Sequence, residues 1–397
     1  MTKRKRWVRR GTTPAGVIRW ILGFYAFGAA EPAAVWSQVP TWILERGATI
    51  GDALDAERGF SSVGDVIVDG DRILVEEPLE HRIRVLSVDG APLGSIGGRG
   101  GGPGEFESLD AMGLHDGLLW VADGDLGRVQ FFDAEYRYAR SVPIWSHPSL
   151  PPGRWDVIGM FGDGSLLVRA ERYAHEVVAD PRRPDHVIRL DHQNPRLDTV
   201  SAVVGLPFVV EIQGRPGWRD FGVRPVYDRS VATASRYGLG LVVVHREVAN
   251  EADPHTYRVV RFDAEGDTAW VRDYSYDPIR VTDEWLSRRV EDWVQRASTG
   301  VDLARYRRAV EEAFSEPRFF PPVRSARAGE DGTTWLLLRT GMNSAEWVVL
   351  DTSGQLIGRL EPPEENYLIW PDWETPWFVE YDEFDVPYLV QYRVRRN

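Results

Sequence analysis

An internal repeat constrains this chain more than any other feature. The stretch DGDRILVEEPLEHRIRVLSVDG (residues 69–90) aligns with DGLLWVADGDLGRVQFFDAE (residues 116–135) at a spacing of 47 residues. Each copy has an Asp-Gly turn, an apolar strand, a polar connection, an alternating strand and a closing Asp. A third copy starts another 47 residues on, at DGSLLV from Asp163, with its partner strand delayed to HVIRLD at residues 186–191. Fainter copies pair GLGLVVV from Gly238 with YRVVRFDAEGD from Tyr257, and DGTTWLLLR from Asp331 with EWVVLDTSGQ from Glu346. A last one pairs WFVEYDE from Trp377 with YLVQYRV from Tyr388.

One twisted four-stranded sheet cannot bury both of its faces, so units of this length must stack on one another around a ring. The six units therefore predict an all-β fold, a six-bladed β-propeller of four-stranded antiparallel blades. TWILERGATI (residues 41–50) has no partner in its own unit and is expected to complete the last blade and close the ring. Closure removes sheet edges that would otherwise template aggregation. Abundant Gly (38), Pro (26) and Trp (16) suit strands and turns better than helices.

Two segments depart from the repeat. Residues 1–38 run from TKRKRWVRR through WILGFYAFGAA to small residues, the order of a signal peptide, so residues 39–397 are expected to form the mature, exported propeller in the periplasm or envelope of a bacterium. The apolar run is short for a lasting membrane anchor. The second segment, residues 282–316, reads as a helical hairpin: Thr282 is an N-cap, and Leu286, Val290, Trp293 and Ala297 form one stripe. Leu303, Tyr306, Val310 and Phe314 form the next, and Pro317 ends it. Its apolar face could dock on the flank of a blade or lie over the channel as a lid.

Charge and absent residue types narrow the chemistry. Loss of residues 1–38 removes seven basic side chains and one acid, so the formal charge of −13 becomes about −19. Such a body repels phosphate backbones, and no nucleic-acid partner is expected. There is no Cys, and the only lysines are Lys3 and Lys5. Thiol nucleophiles, disulfides, Schiff bases and phosphate-binding lysines are thereby excluded from the mature chain.

The run IGGRGGGPGEF (residues 96–106) invites a phosphate-loop reading, but it lacks the G-x-G-x-x-G spacing and a Gly-Lys-Ser/Thr ending. It falls between two repeat units, where glycines let the chain turn from the outer edge of one blade to the inner strand of the next, and where Phe106 can plug the gap between blades. GGGPGEF, followed by DGLLWVAD and GRVQFFD, resembles the NHL repeat over residues 64–135. The resemblance implies a six-bladed ring in an exported protein. Relatives of this kind include RNA-binding modules and channel-centred metal-dependent lyases and lactone hydrolases.

Candidate ligand-binding residues cluster in the inter-blade loops: Arg99 and Glu105 beside the glycine turn, and Trp145, His147 and Arg154 in PIWSHPSLPPGRW. No histidine spacing has the form of a metal motif, no metal ligand is named, and no catalytic residue or cofactor can be read from the sequence. Asp123 and Asp125 in ADGDLG resemble a calcium loop but lack its further oxygens, which favours a polar turn. The tract WPDWETPWFVEYDEFD (residues 370–385) would wedge blades together or offer an aromatic face. The leading expectation is a binding scaffold for a protein, peptide or small-molecule ligand, with no stable transmembrane segment after signal cleavage. The alternative is a metal-dependent hydrolase or lyase at the channel.

Overall fold

The computed structural model describes residues 39–52, 55, 58–192, 196–212, 220–246, 255–296, 302–363 and 366–396. The expected signal, residues 1–38, and Ala297 of the helical stripe lie outside them. Strand β1 (Ile43–Ile50) comes first. The first blade is β2 (Val66–Asp69), β3 (Arg72–Glu77), β4 (Arg82–Ser87) and β5 (Pro92–Gly97). The second is β6 (Ala111–His115), β7 (Leu118–Asp123), β8 (Arg128–Phe132) and β9 (Tyr138–Pro143). The third is β10 (Trp155–Met160), β11 (Leu166–Ala170), β12 (Asp185–Asp191) and β13 (Arg196–Val203), interrupted by helix α1 (Ala174–Ala179).

A separate hairpin, β14 (Val209–Ile212) with β15 (Asp220–Val223), precedes the fourth blade. That blade is β16 (Val231–Ala234), β17 (Leu241–His245), β18 (Thr256–Phe262) and β19 (Thr268–Ser275). Helices α2 (Asp283–Gln295) and α3 (Leu303–Ala313) follow. The fifth blade is β20 (Val323–Ala328), β21 (Thr334–Arg339), β22 (Ala345–Leu350) and β23 (Leu356–Leu360). The last, β24 (Asn366–Trp370), β25 (Trp377–Tyr381) and β26 (Pro387–Arg395), takes β1 as its fourth strand, with Ile43 opposite Arg395 and Ile50 opposite Leu389. The six-bladed, four-stranded propeller expected from the repeats is the fold observed, including its closure by the N-terminal strand.

The cores lie between blades, as the repeat requires. Phe106 is fully buried beside Ile83 and Ile96 of the first blade and Leu119, Val121 and Phe132 of the second. The glycine run makes this possible. Gly97 has φ +91° and a Cβ there would come within 2.3 Å of the Phe106 ring, so only glycine lets the ring enter. Phe106 N donates to Gly98 O at 2.9 Å and Gly100 N to Phe106 O at 3.1 Å, which folds the loop back on itself.

The inner strand of each blade lines the axis: β6 packs against β10, β10 against β16, β16 against β20 and β24 against β2. Neighbouring strands in a blade are antiparallel, so two kinds of connection emerge at the same end of the ring, here called the upper end. They are the link from an outer strand to the next inner strand and the link from a second strand to a third. The glycine run, the loop of residues 144–154, α1, the β14–β15 hairpin and the α2–α3 pair all occupy such connections.

Thr282 caps α2, its Oγ1 accepting from Trp285 N at 3.2 Å, and Asp302 caps α3 by accepting from Ala304 N and Arg305 N at 3.1 Å. Val290, Tyr306, Val310 and Phe314 are buried, whereas Leu303 of the expected stripe is 56% exposed. The helices share a small core with Val210 and Ile212 of the β14–β15 hairpin, and Arg224 donates to Ala313 O at 2.7 Å and Glu316 O at 2.8 Å. No helix of the described residues is long and apolar enough to cross a membrane.

Candidate functional site

The channel is closed at its lower end by a turn of the fourth blade. After β16 the chain crosses beneath the axis at Ser235, Arg236 and Tyr237, and neighbouring blades hold it there. Arg236 O accepts from Leu114 N of the second blade at 2.7 Å. The Tyr237 hydroxyl donates to Val68 O of the first blade, and its ring meets Trp370 of the last edge-on at 5.7 Å. Glu330, in the turn after β20, accepts from Arg236 N at 2.5 Å, from Tyr237 N at 3.0 Å and from the Ser235 hydroxyl. Burial raises the pKa of Glu330 despite these donors.

From this floor the Arg236 side chain rises into the channel and donates to Asp65 Oδ1 at 2.5 Å. Burial works against its charge, but the acids around it, Asp65 foremost, more than offset that, so its pKa is raised. Asp65 precedes β2, and Asp110 occupies the same place ahead of β6. Asp110 accepts from the Ser108 hydroxyl and from Gly124 N, both at 2.6 Å and both on Oδ2. Behind them, at the end of β3, Glu76 is only 2% exposed. Its Oε2 accepts from Asp65 N at 2.9 Å, while its Oε1 has no hydrogen-bond partner among the described residues. Burial, reinforced by the negative charges of Asp65 and Asp110, pushes the Glu76 carboxyl up to about 8.

Above the floor lies a cavity of about 350 Å³. Asp65, Asp110 and Arg236 line it near the axis, and Ala111, Ile158, Ala232, Thr233 and Ala234 supply small or apolar wall. It extends outward between the second and third blades, past Arg128, Asp156 and Arg169. Arg169 Nη2 meets Asp156 Oδ2 at 3.3 Å. Arg128 reaches only backbone carbonyls, Gly101 O at 3.1 Å and Gly102 O and Glu105 O at 2.9 Å, and its buried Nε has no partner among the described residues. The floor and walls thus form a cup open to the upper end, with Asp65, Asp110 and Arg236 at the axis and the guanidinium groups of Arg128 and Arg169 further out beside Asp123 and Asp156.

The structure separates the five residues picked from the sequence. Trp145 and Arg154 come together on the rim of this cup. Arg154 stacks over the Trp145 ring at 4.6 Å and meets Glu171 at 2.6 Å and Asp125 at 3.5 Å, while their neighbours Ile144 and Trp155 line the cavity itself. His147 is buried in the same loop, its Nδ1 accepting from Ser149 N at 3.3 Å, and burial lowers its pKa. Arg99 and Glu105 lie apart from the cavity. Arg99 is 74% exposed and 3.7 Å from Glu107, and the Glu105 carboxylate accepts from Gly102 N at 2.8 Å to brace the glycine turn. Asp123 is the capping residue of a polar turn, accepting from Glu107 N, Ser108 N and Leu126 N. No group of three or more His, Asp and Glu side chains among the described residues is arranged to hold a metal ion.

Asp65, Glu76, Asp110 and Arg236 were not singled out in the sequence. A signal existed for two of them, because GDVIVDG and LDAMGLHDG place Asp65 and Asp110 alike, one residue ahead of an inner strand. Nothing linear connects Arg236 to them, since it comes from the opposite side of the ring.

No family model matches the chain, and no curated protein matches it. Solved structures with a similar course include a Bacteroides fragilis protein assigned as exported, at 12% identity and a TM-score of 0.49, over 89% of this chain and 96% of that one. The calcium-binding protein regucalcin of Agrobacterium tumefaciens is 12% identical, with a TM-score of 0.37, over 88% of this chain and 96% of that one. Virginiamycin B lyase of Staphylococcus aureus, solved with quinupristin, is 10% identical, with a TM-score of 0.40, over 88% and 99%. The fold itself rests on the chain's own sheets, and by these the protein is a six-bladed β-propeller.

Proposed function

We propose that this protein is an exported binding propeller, with residues 1–38 as its export signal and the upper cup as the site for a small polar ligand or peptide. One observation carries the reading: the channel is sealed below by Ser235–Tyr237 and Glu330, yet keeps above that seal a cavity lined by charged side chains, among them Arg128 with its Nε unpartnered among the described residues. Buried polar atoms normally find partners, and a cavity that leaves Arg128 Nε unmatched, with free carboxylate oxygens on Asp65 and Asp110, is suited to a ligand that supplies them. Its volume falls at the low end of the roughly 300–1,000 Å³ of small-molecule sites. The crown of α1, the β14–β15 hairpin and α2–α3 rises at the same end, beside the mouth.

The test is thermal stabilisation of residues 39–397 by a low-molecular-weight fraction of envelope extract, repeated on Ala232→Phe, which narrows the cup, and on Arg169→Gln at its wall. A raised melting temperature that both substitutions diminish is the expected result. Stabilisation untouched by either would place the ligand elsewhere and refute the reading. Export is tested separately by fusing residues 1–38 to a reporter that folds only outside the cytoplasm, and a reporter left inside would refute that part.

A further inference from the structure

The cup has two chemically distinct ends, and their separation points to a ligand class. At the axis, Asp65 and Asp110 each use one carboxylate oxygen, for Arg236 and for Ser108 with Gly124 respectively. Asp65 Oδ2, Asp110 Oδ1 and the buried Glu76 Oε1 have no hydrogen-bond partner among the described residues. Asp65 and Asp110 both line the cavity, and their free carboxylate oxygens suit a primary ammonium, which has donors and no acceptor of its own. The same acids do not form a metal-binding group, so an organic cation fits this end better than an ion.

Further out two arginines, Arg128 and Arg169, join Asp123 and Asp156 in the lining. Arg128 is held by carbonyls alone, forms no ion pair among the described residues, and keeps a buried Nε–H without a partner. Arg169, across the cavity, gives Asp156 a single contact and leaves the rest of its guanidinium unused among the described residues. Two guanidinium groups with spare donors suit a carboxylate. Asp110 sits ahead of the first strand of its blade and Arg128 starts the third, so the two ends stand roughly 10 Å apart at about 5 Å per strand. That span exceeds a free amino acid and fits an extended chain of two or three residues.

We infer that the cup binds short peptides with free termini, the α-ammonium at Asp65 and Asp110 and the carboxylate at Arg128 and Arg169. This rests on the proposed function, since it presumes that the cup is the binding site. The walls between the ends, Ala111, Ala232 and Ala234, are small and leave room for side chains.

The experiment is calorimetric titration of residues 39–397 with di- and trialanine, their N-acetyl and C-amide forms, L-alanine and calcium chloride. The free peptides are expected to bind, with N-acetylation and amidation each weakening affinity at least tenfold and L-alanine binding less well. Arg169→Gln should erase the preference for the free carboxylate while sparing that for the free ammonium, and Asp110→Asn the reverse. Equal binding of blocked and free peptides overturns the inference, as does calcium binding that excludes them. If no peptide binds while the extract fraction still stabilises the wild type and not Ala232→Phe, the inference falls and the proposed function stands.

Discussion

Glu76→Gln isolates the electrostatic cost of the channel floor. In the folded protein the Glu76 carboxyl keeps its proton up to about pH 8, against about 4.5 for an unperturbed glutamate. Below about 4.5 the group is protonated whether the chain is folded or not, and it contributes nothing to the pH dependence of stability. Between the two values the unfolded chain has lost this proton and the folded one retains it, so stability falls as pH rises and levels off above about 8. A separation of about 3.5 units at 1.36 kcal/mol each sets the loss on the order of 3–5 kcal/mol. Glu76 is nearly inaccessible to solvent, so water screens little of it. Glutamine keeps the size and one carbonyl for Asp65 N but cannot ionise. Urea midpoints of both proteins at intervals from pH 4.5 to 9 give the difference, because titrating groups remote from Glu76 cancel. The variant should gain on the wild type by several kcal/mol across this range. A difference that stays within about 1 kcal/mol, or that shrinks with pH, would refute the placement of a neutral acid beside Asp65 and Asp110.

Three further outcomes follow from the packing. Gly97→Ala puts a Cβ into the Phe106 ring at a backbone with φ +91° and should cost about 2–4 kcal/mol by calorimetry; a neutral result would show that the loop relaxes freely. Phe106→Ala should cost about 3–5 kcal/mol and lower the unfolding midpoint without a separate early transition, whereas two resolved transitions would mean that the first and second blades unfold apart. Asp185→Asn removes the acid shared by Arg172, at 2.8 Å, and Arg229, and should cost about 3–5 kcal/mol because two nearly buried guanidinium groups lose their counter-charge. A loss below about 1 kcal/mol would indicate that backbone carbonyls such as Gly205 O suffice for them.

The ring was legible because each unit repeats the same physical task. Leu74, Val85, Leu119 and Val121 recur where a strand must press against the next blade, and the Asp-Gly turns recur where it must reverse. The β14–β15 hairpin escaped notice for the opposite reason. Its strands are four residues long, repeat nothing, and bury Val210 and Ile212 against α2 and α3, whose own amphipathic pattern was plain. Leu303 was misplaced because a helical stripe shows which side is apolar but not how far the partner extends along it. Of the candidate cup, the rim was the part the sequence could reach: Trp145 and Arg154 lie there because proline-rich inter-blade loops must surface at the upper end. The floor was hidden because Arg236, Asp65 and Glu330 meet across the ring, and their chemistry exists only once it has closed.

Closure through β1 and β26 also sets an order of events for folding. Ile43 pairs with Arg395, so the earliest described strand waits for the last before either can join a complete sheet. Until then the final blade presents an unpaired edge, and the sealing turn at Arg236 has no finished ring to brace it. Contacts so distant in sequence make for slow, late-committing folding. A chain arrested before β26 would hold most of its blades and still be an open arc, prone to capture by other strand edges.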